Sequence, residues 1–187
     1  MRSRSTLAAM HVGSEETRLI CVRGNSASGK SSVAAGIRSQ FGRGIALVGQ
    51  DNIRRVLLRE RDRPEAANIG LIDLTARYAL DAGYHVILEG ILYVAHYGDM
   101  LQQLIADHQG RTHCYYLDVP FEQTLERHAT KPIADDVNES QLREWFRPLD
   151  LLPGGIETVL GCDSSLDATV DRIMKDSELA VLAETPR

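Results

Sequence analysis

Gly24-Asn25-Ser26-Ala27-Ser28-Gly29-Lys30-Ser31 fits the pattern G-x-x-x-x-G-K-[ST] at every fixed position, the spacing of a loop that wraps the phosphates of a nucleoside triphosphate. Such a loop must turn sharply and aim several backbone N–H groups inward, which Gly24 and Gly29 permit. Lys30 then reaches the β- and γ-phosphates, Ser31 offers a hydroxyl to Mg²⁺, and a helix beginning there turns its positive end toward the anion. The expected nucleotide-binding set is Gly24, Asn25, Ser26, Ala27, Ser28, Gly29, Lys30, Ser31 and Ser32. ATP is the expected ligand, with GTP as its alternative, and Mg²⁺ the expected metal.

The elements needed to position this loop flank it directly. Leu19-Ile20-Cys21-Val22 reads as a buried strand before it, and Ser32-Val33-Ala34-Ala35-Gly36-Ile37 as a helix after it. Further on, short apolar runs alternate with amphipathic stretches, the pattern of βαβ units building a parallel sheet covered on both faces. Strands are expected at 18 to 23, 44 to 48, 84 to 88, 112 to 117 and 156 to 160. Helices are expected near 30 to 41, 52 to 60, 68 to 82, 97 to 108, 121 to 129, 139 to 147 and 165 to 176, the last opened by a capping signal at Ser164-Ser165.

In an open parallel sheet the ligand crevice lies beyond the carboxyl ends of the strands, which gives weight to acids just after the apolar runs. Asp51 follows Leu47-Val48-Gly49-Gln50 and either faces the γ-phosphate, engaging an acceptor hydroxyl or Mg²⁺, or caps the next helix. Glu89 closes His85-Val86-Ile87-Leu88. It serves a metal-bound water or a substrate hydroxyl, or is a buried acid satisfied by backbone N–H groups. Asp118 precedes Val119-Pro120 and reads as a helix cap.

Downstream, Arg127 and Lys131 place cations before Pro132, and the stretch about 128 to 142 reads either as a lid closing over the transferring phosphate or as a solvated charged loop. Candidate linings of an acceptor pocket are Arg54, Arg55, Glu89, Tyr93, His96 and Tyr97. The alternating run Arg59-Glu60-Arg61-Asp62-Arg63 reads as surface. Trp145 and Arg147 either wall the acceptor site or end a helix that packs on the core.

The 187 residues suit one domain, expected over 18 to 180, after a flexible N-terminus at 1 to 17. A formal charge of −5 with dispersed arginines lacks the basic stripe of a long nucleic-acid partner. Cys21, Cys114 and Cys162 show no C-x-x-C spacing and read as reduced thiols of a cytoplasmic protein. The apolar patch Leu7-Ala8-Ala9-Met10 is too short for a membrane span. A monomer or homodimer is expected.

The order of parts, GNSASGKSS, ALVGQD, HVILEG and YYLDVPFEQTLERHATKP, resembles the small-molecule kinase branch of P-loop proteins from Leu19 to about Ile173, nearest in layout to chloramphenicol phosphotransferase and zeta toxin. The resemblance implies a P-loop NTPase three-layer α/β sandwich with a five-stranded parallel sheet and a short lid. It implies an ATP-dependent phosphotransferase acting on a hydroxyl of an antibiotic, nucleoside or sugar-like metabolite. Within it, Asp51 approaches the acceptor hydroxyl, Arg127 packs on adenine, Lys131 touches phosphate from the lid, and Glu89 contacts the acceptor. Lysine at 131 departs from the commoner arginine and loses the bidentate fork. The alternatives are a nucleoside or polynucleotide 5′-end kinase, and a nucleotide-dependent switch or accessory ATPase with a protein partner.

Overall fold

The computed structural model describes residues 11–129 and 138–183. Five strands, β1 (Arg18–Gly24), β2 (Ile45–Gly49), β3 (His85–Glu89), β4 (Arg111–Leu117) and β5 (Glu157–Leu160), form one sheet in the order β2-β3-β1-β4-β5. Every pairing is parallel, so β1 sits at the centre between β3 and β4. The expected strands thus all form, with ends displaced by a residue.

The two-residue repeat of the strands explains the layers. Along β1, Leu19 and Cys21 point into one apolar cluster, while Ile20 and Val22 point into another. The first cluster buries α2 (Ala67–Asp81) and α3 (Val94–Asp107) through Ile72, Ala76, Leu80, Tyr97, Leu101 and Leu104. The second buries α1 (Lys30–Phe41) and α6 (Leu166–Asp176) through Val33, Ile37, Phe41, Val170 and Ile173. Leu179 of the short α7 (Leu179–Ala183), which the sequence does not announce, joins that second cluster. A satellite cluster of Phe121, Leu125, Leu142 and Phe146 joins α4 (Phe121–Ala129) to α5 (Glu139–Trp145).

Three expectations need correction. Residues 11–17 are not frayed: Val12 is 2% exposed and bridges to His108, and Gly13 N donates to Asp81 Oδ1 at 2.7 Å. The helix expected at 52 to 60 is a π-helical turn, Asn52–Leu57, that leaves Val56 and Leu57 exposed. Helix α3 starts three residues before expectation, because the distant Asp150 carboxylate accepts from Val94 N at 2.9 Å and caps it. Lys131 and the centre of the expected lid, 130–137, lie outside the described residues.

Candidate active site

Gly24 ends β1 with φ at 144°, and an added Cβ there would meet Leu117 O at 2.6 Å, so only glycine lets the loop leave the central strand beside β4. Ala27, with φ at 59°, holds the left-handed region without glycine's freedom, a strain typical of a loop shaped for a ligand. Lys30, the first residue of α1, is buried, and its ammonium donates to Asn25 O at 2.6 Å and to Ser28 Oγ at 3.3 Å. The cation thus lies curled within the loop, against the oxygens that phosphate would outcompete for it.

Two cavities meet at this loop. On the β4 and β5 side, Ser28, Gly29, Ser32, Arg127, Leu160, Gly161, Cys162 and Ser164 line a pocket of about 260 Å³. Arg127 Nη1 donates to Ser28 O at 3.2 Å, which pins the guanidinium to the loop's edge. Ser165 closes this side by accepting from Ala168 N, the helix cap expected from the sequence. The turn before that cap, which by the resemblance to small-molecule kinases holds the adenine edge, supplies Gly161 and Cys162 to the lining.

On the β3 and β2 side, Ser26, Ala27, Lys30, Ser31, Gln50, Asp51, Glu89 and Gly90 enclose a cleft of about 70 Å³. The Ser31 hydroxyl donates to Glu89 Oε2 at 3.2 Å, so the acid closing β3 sits against the predicted metal ligand. Both donors are hard oxygens, the ligand type Mg²⁺ takes. Asp51 makes no side-chain cap; its carboxylate, 65% exposed, accepts from Arg54 at 2.9 Å and lies 3.8 Å from Arg55. Arg54 and Arg55 therefore gather on Asp51 in this state.

Gln50 is the residue the sequence reading missed, although it too is polar at a strand end. It is buried, donates to Tyr97 Oη at 2.9 Å and Asp62 Oδ2 at 3.2 Å, and accepts from Leu92 N at 3.1 Å. It fits only because position 90 has no side chain: a Cβ on Gly90 would meet Gln50 Cβ at 2.6 Å. Tyr97, expected to line the pocket, is fully buried and donates to Asn68 Oδ1, and burial raises its phenol above the ordinary tyrosine range. His96 remains half-buried, its Nδ1 bonded to Asp62 at 3.1 Å.

Tyr93, Trp145 and Arg147 do come together as a wall. Tyr93 Oη donates to Trp145 O at 2.5 Å, and the Arg147 guanidinium lies 5.8 Å from the Tyr93 ring centre. Burial pushes the Tyr93 phenol up to about 12, so it stays a donor. Asn25 welds this wall to the phosphate loop, donating to Arg147 O at 2.8 Å and accepting from Arg147 N at 2.8 Å. Behind it, the fully buried Arg23 forks onto Glu157 at 2.8 and 2.9 Å and reaches Asp150 at 3.2 Å and Leu92 O. One guanidinium thereby holds the 150–152 turn against the start of α3.

The fold is similar to that of solved structures. The APS kinase of Mycobacterium tuberculosis, solved with AMPPNP and APS, shares 21% identity at a TM-score of 0.66, over 88% of this chain and 97% of its own. A gluconokinase of Sinorhizobium meliloti shares 16% identity at 0.60, over 91% and 95%. The tunicamycin resistance protein of Deinococcus radiodurans shares 16% at 0.61, over 86% and 95%. These likenesses establish the P-loop fold. No curated protein matches the chain significantly, and among the described residues no helix is long and apolar enough to cross a membrane. Residues 19–152, from β1 to the turn behind the wall, match the AAA domain family. The chain belongs to that family of P-loop domains.

Proposed function

We propose that this protein is an ATP-dependent phosphotransferase that moves the γ-phosphoryl group of ATP to a hydroxyl of a small molecule in the cytoplasm. One observation carries the reading: a single phosphate loop separates a pocket beside Arg127 from a second cleft holding Asp51 and Glu89. Nucleotide base and sugar occupy the first, and the acceptor enters from the second. An in-line displacement needs this opposition of leaving and attacking oxygens.

Lys30 leaves Asn25 O and Ser28 Oγ and donates to the β- and γ-phosphate oxygens, neutralising the charge that spreads over them in the transition state. Ser31, with Glu89 beside it, would hold Mg²⁺, which when bound would add charge neutralisation at the phosphates. Asp51 orients the acceptor hydroxyl and takes its proton as the O–P bond forms, with ADP departing. This divides the acids: Glu89 belongs to the metal side, Asp51 to the acceptor. Arg127 covers the base. The wall of Tyr93, Trp145 and Arg147 excludes water from the acceptor.

Incubating the protein with Mg·ATP and a panel of hydroxylated antibiotics, nucleosides and sugars, scored by product mass, tests the reading. One acceptor gaining one phosphate supports it. ATP turnover with every acceptor unmodified moves the protein to the switch class.

A further inference from the structure

The alternating run Arg59-Glu60-Arg61-Asp62-Arg63 looks like solvated surface in the sequence, but in the fold both of its acids are engaged by donors outside the run, although Glu60 still lines one cleft with the arginines. Glu60 turns to the start of α2, accepting from Ala67 N at 3.0 Å, Asn68 N at 2.9 Å and Asn68 Nδ2 at 3.0 Å. Its negative charge is spent largely on those amides. Asp62 turns inward, accepting from Gln50 and His96 and lying 3.0 Å from the Tyr97 hydroxyl. The three arginines stay exposed and, with Leu58, Glu60 and Ala67, line an open cleft of about 550 Å³. The chain as a whole carries −5, yet residues 54–63 hold five arginines against these two engaged acids.

This cleft is tied to the candidate active site on both sides. Arg54 donates to Glu60 O at 3.3 Å and to Asp51 Oδ1 at 2.9 Å. Asp62 accepts from Gln50, which lines the small cleft beside Asp51. A ligand reaching from Asp51 along this segment meets guanidiniums, whose planar forks suit oxyanions.

We propose that the cleft of Arg59, Arg61 and Arg63 binds an oxyanion of the acceptor, so that the hydroxyl substrate is itself a phosphate-, sulfate- or carboxylate-bearing small molecule. The proposal rests on the phosphotransferase reading for its hydroxyl, and on the cleft alone for its anion. Inorganic sulfate is the first probe. With the nucleotide side saturated by Mg·AMPPNP, sulfate is titrated while the arginine Nε–Hε resonances are followed. Saturable shifts at Arg59, Arg61 and Arg63 are expected in the native chain and in Lys30→Ala, and the backbone amides of residues 58–67, which shift with them, should lose that response in the triple Arg→Gln variant. No saturable shift, or an equal response across all arginines, overturns the proposal, the latter as binding of an adventitious ion only.

The second arm offers each hydroxyl compound in pairs, neutral and oxyanion-bearing, with Mg·ATP. The oxyanion-bearing member should be the one phosphorylated. The triple variant should raise its KM about tenfold or more, with the ATP KM unchanged. A neutral acceptor phosphorylated with a KM indifferent to the triple variant overturns the proposal. ATP turnover with every acceptor of both kinds unmodified breaks the phosphotransferase reading instead, and the sulfate arm still reads the cleft.

Discussion

The two sides of the phosphate loop are built differently. The Arg127 pocket is assembled from main chain and strand ends: Ser28 and Gly29 of the loop, Leu160 and the turn behind it, and one pinned guanidinium. The Asp51 side hangs on side-chain bonds between segments far apart in sequence, Gln50 to Tyr97, Asn25 to Arg147 and Arg23 to Glu157. The first side is fixed by the sheet itself, whereas the bonds that shape the second lie between side chains that can change without disturbing that sheet.

The largest test of the contrast strikes the loop common to both sides. Lys30→Ala should lower phosphoryl transfer by about a thousandfold or more, read as product formed per minute, with the thermal midpoint little changed. Next, Arg23→Met should leave Glu157 buried and unpaired, costing about 3–5 kcal/mol and lowering Tm by about 10 °C in a thermal melt. At a temperature where the variant is folded, the acceptor KM should rise while ATP affinity holds. If both fall together, the two sides are not independent.

A third test concerns the N-terminal residues that pack beneath the sheet. Burial, helped by Arg18, holds the His108 imidazole down to about 4, where Thr17 and Thr112 bond its two nitrogens. The unfolded chain binds that proton more readily, so stability is full above about pH 6.5 and falls as pH drops toward 4. The loss should be about 2 kcal/mol at pH 5, seen as a Tm difference between pH 7.5 and 5 that His108→Gln removes. The smallest effect belongs to the base side. Arg127→Ala should weaken ATP binding about tenfold by calorimetry, with transfer at saturating ATP held within about threefold.

The legibility of the sequence follows the same division. Loop, strands and layers could be read because their causes are local: glycine spacing, apolar runs and helix periodicity between Arg18 and Phe41, and again at each later strand. The place of Glu89 at a strand end is legible in the sequence, but its contact with Ser31, on which the proposed metal role rests, is not. Tyr97 was misread as lining because an aromatic at the start of a helix carries no mark of its partners, Gln50 and Asn68. Arg23 was unremarkable within an apolar strand, since its acids lie more than 120 residues away. The sorting of charges in residues 59–63 likewise depends on where α2 and α3 lie, which no local pattern encodes.

If nucleotide and acceptor meet at the loop from opposite sides, Asp51 serves the acceptor alone. Asp51→Asn tests it most directly when ATP affinity and the rate of phosphate transfer are measured on the same preparation. An ATP Kd within about threefold of the native value is expected, with transfer reduced by about a hundredfold or more. Loss of both in equal measure would assign Asp51 to the metal and nucleotide, and loss of neither would remove it from the reaction.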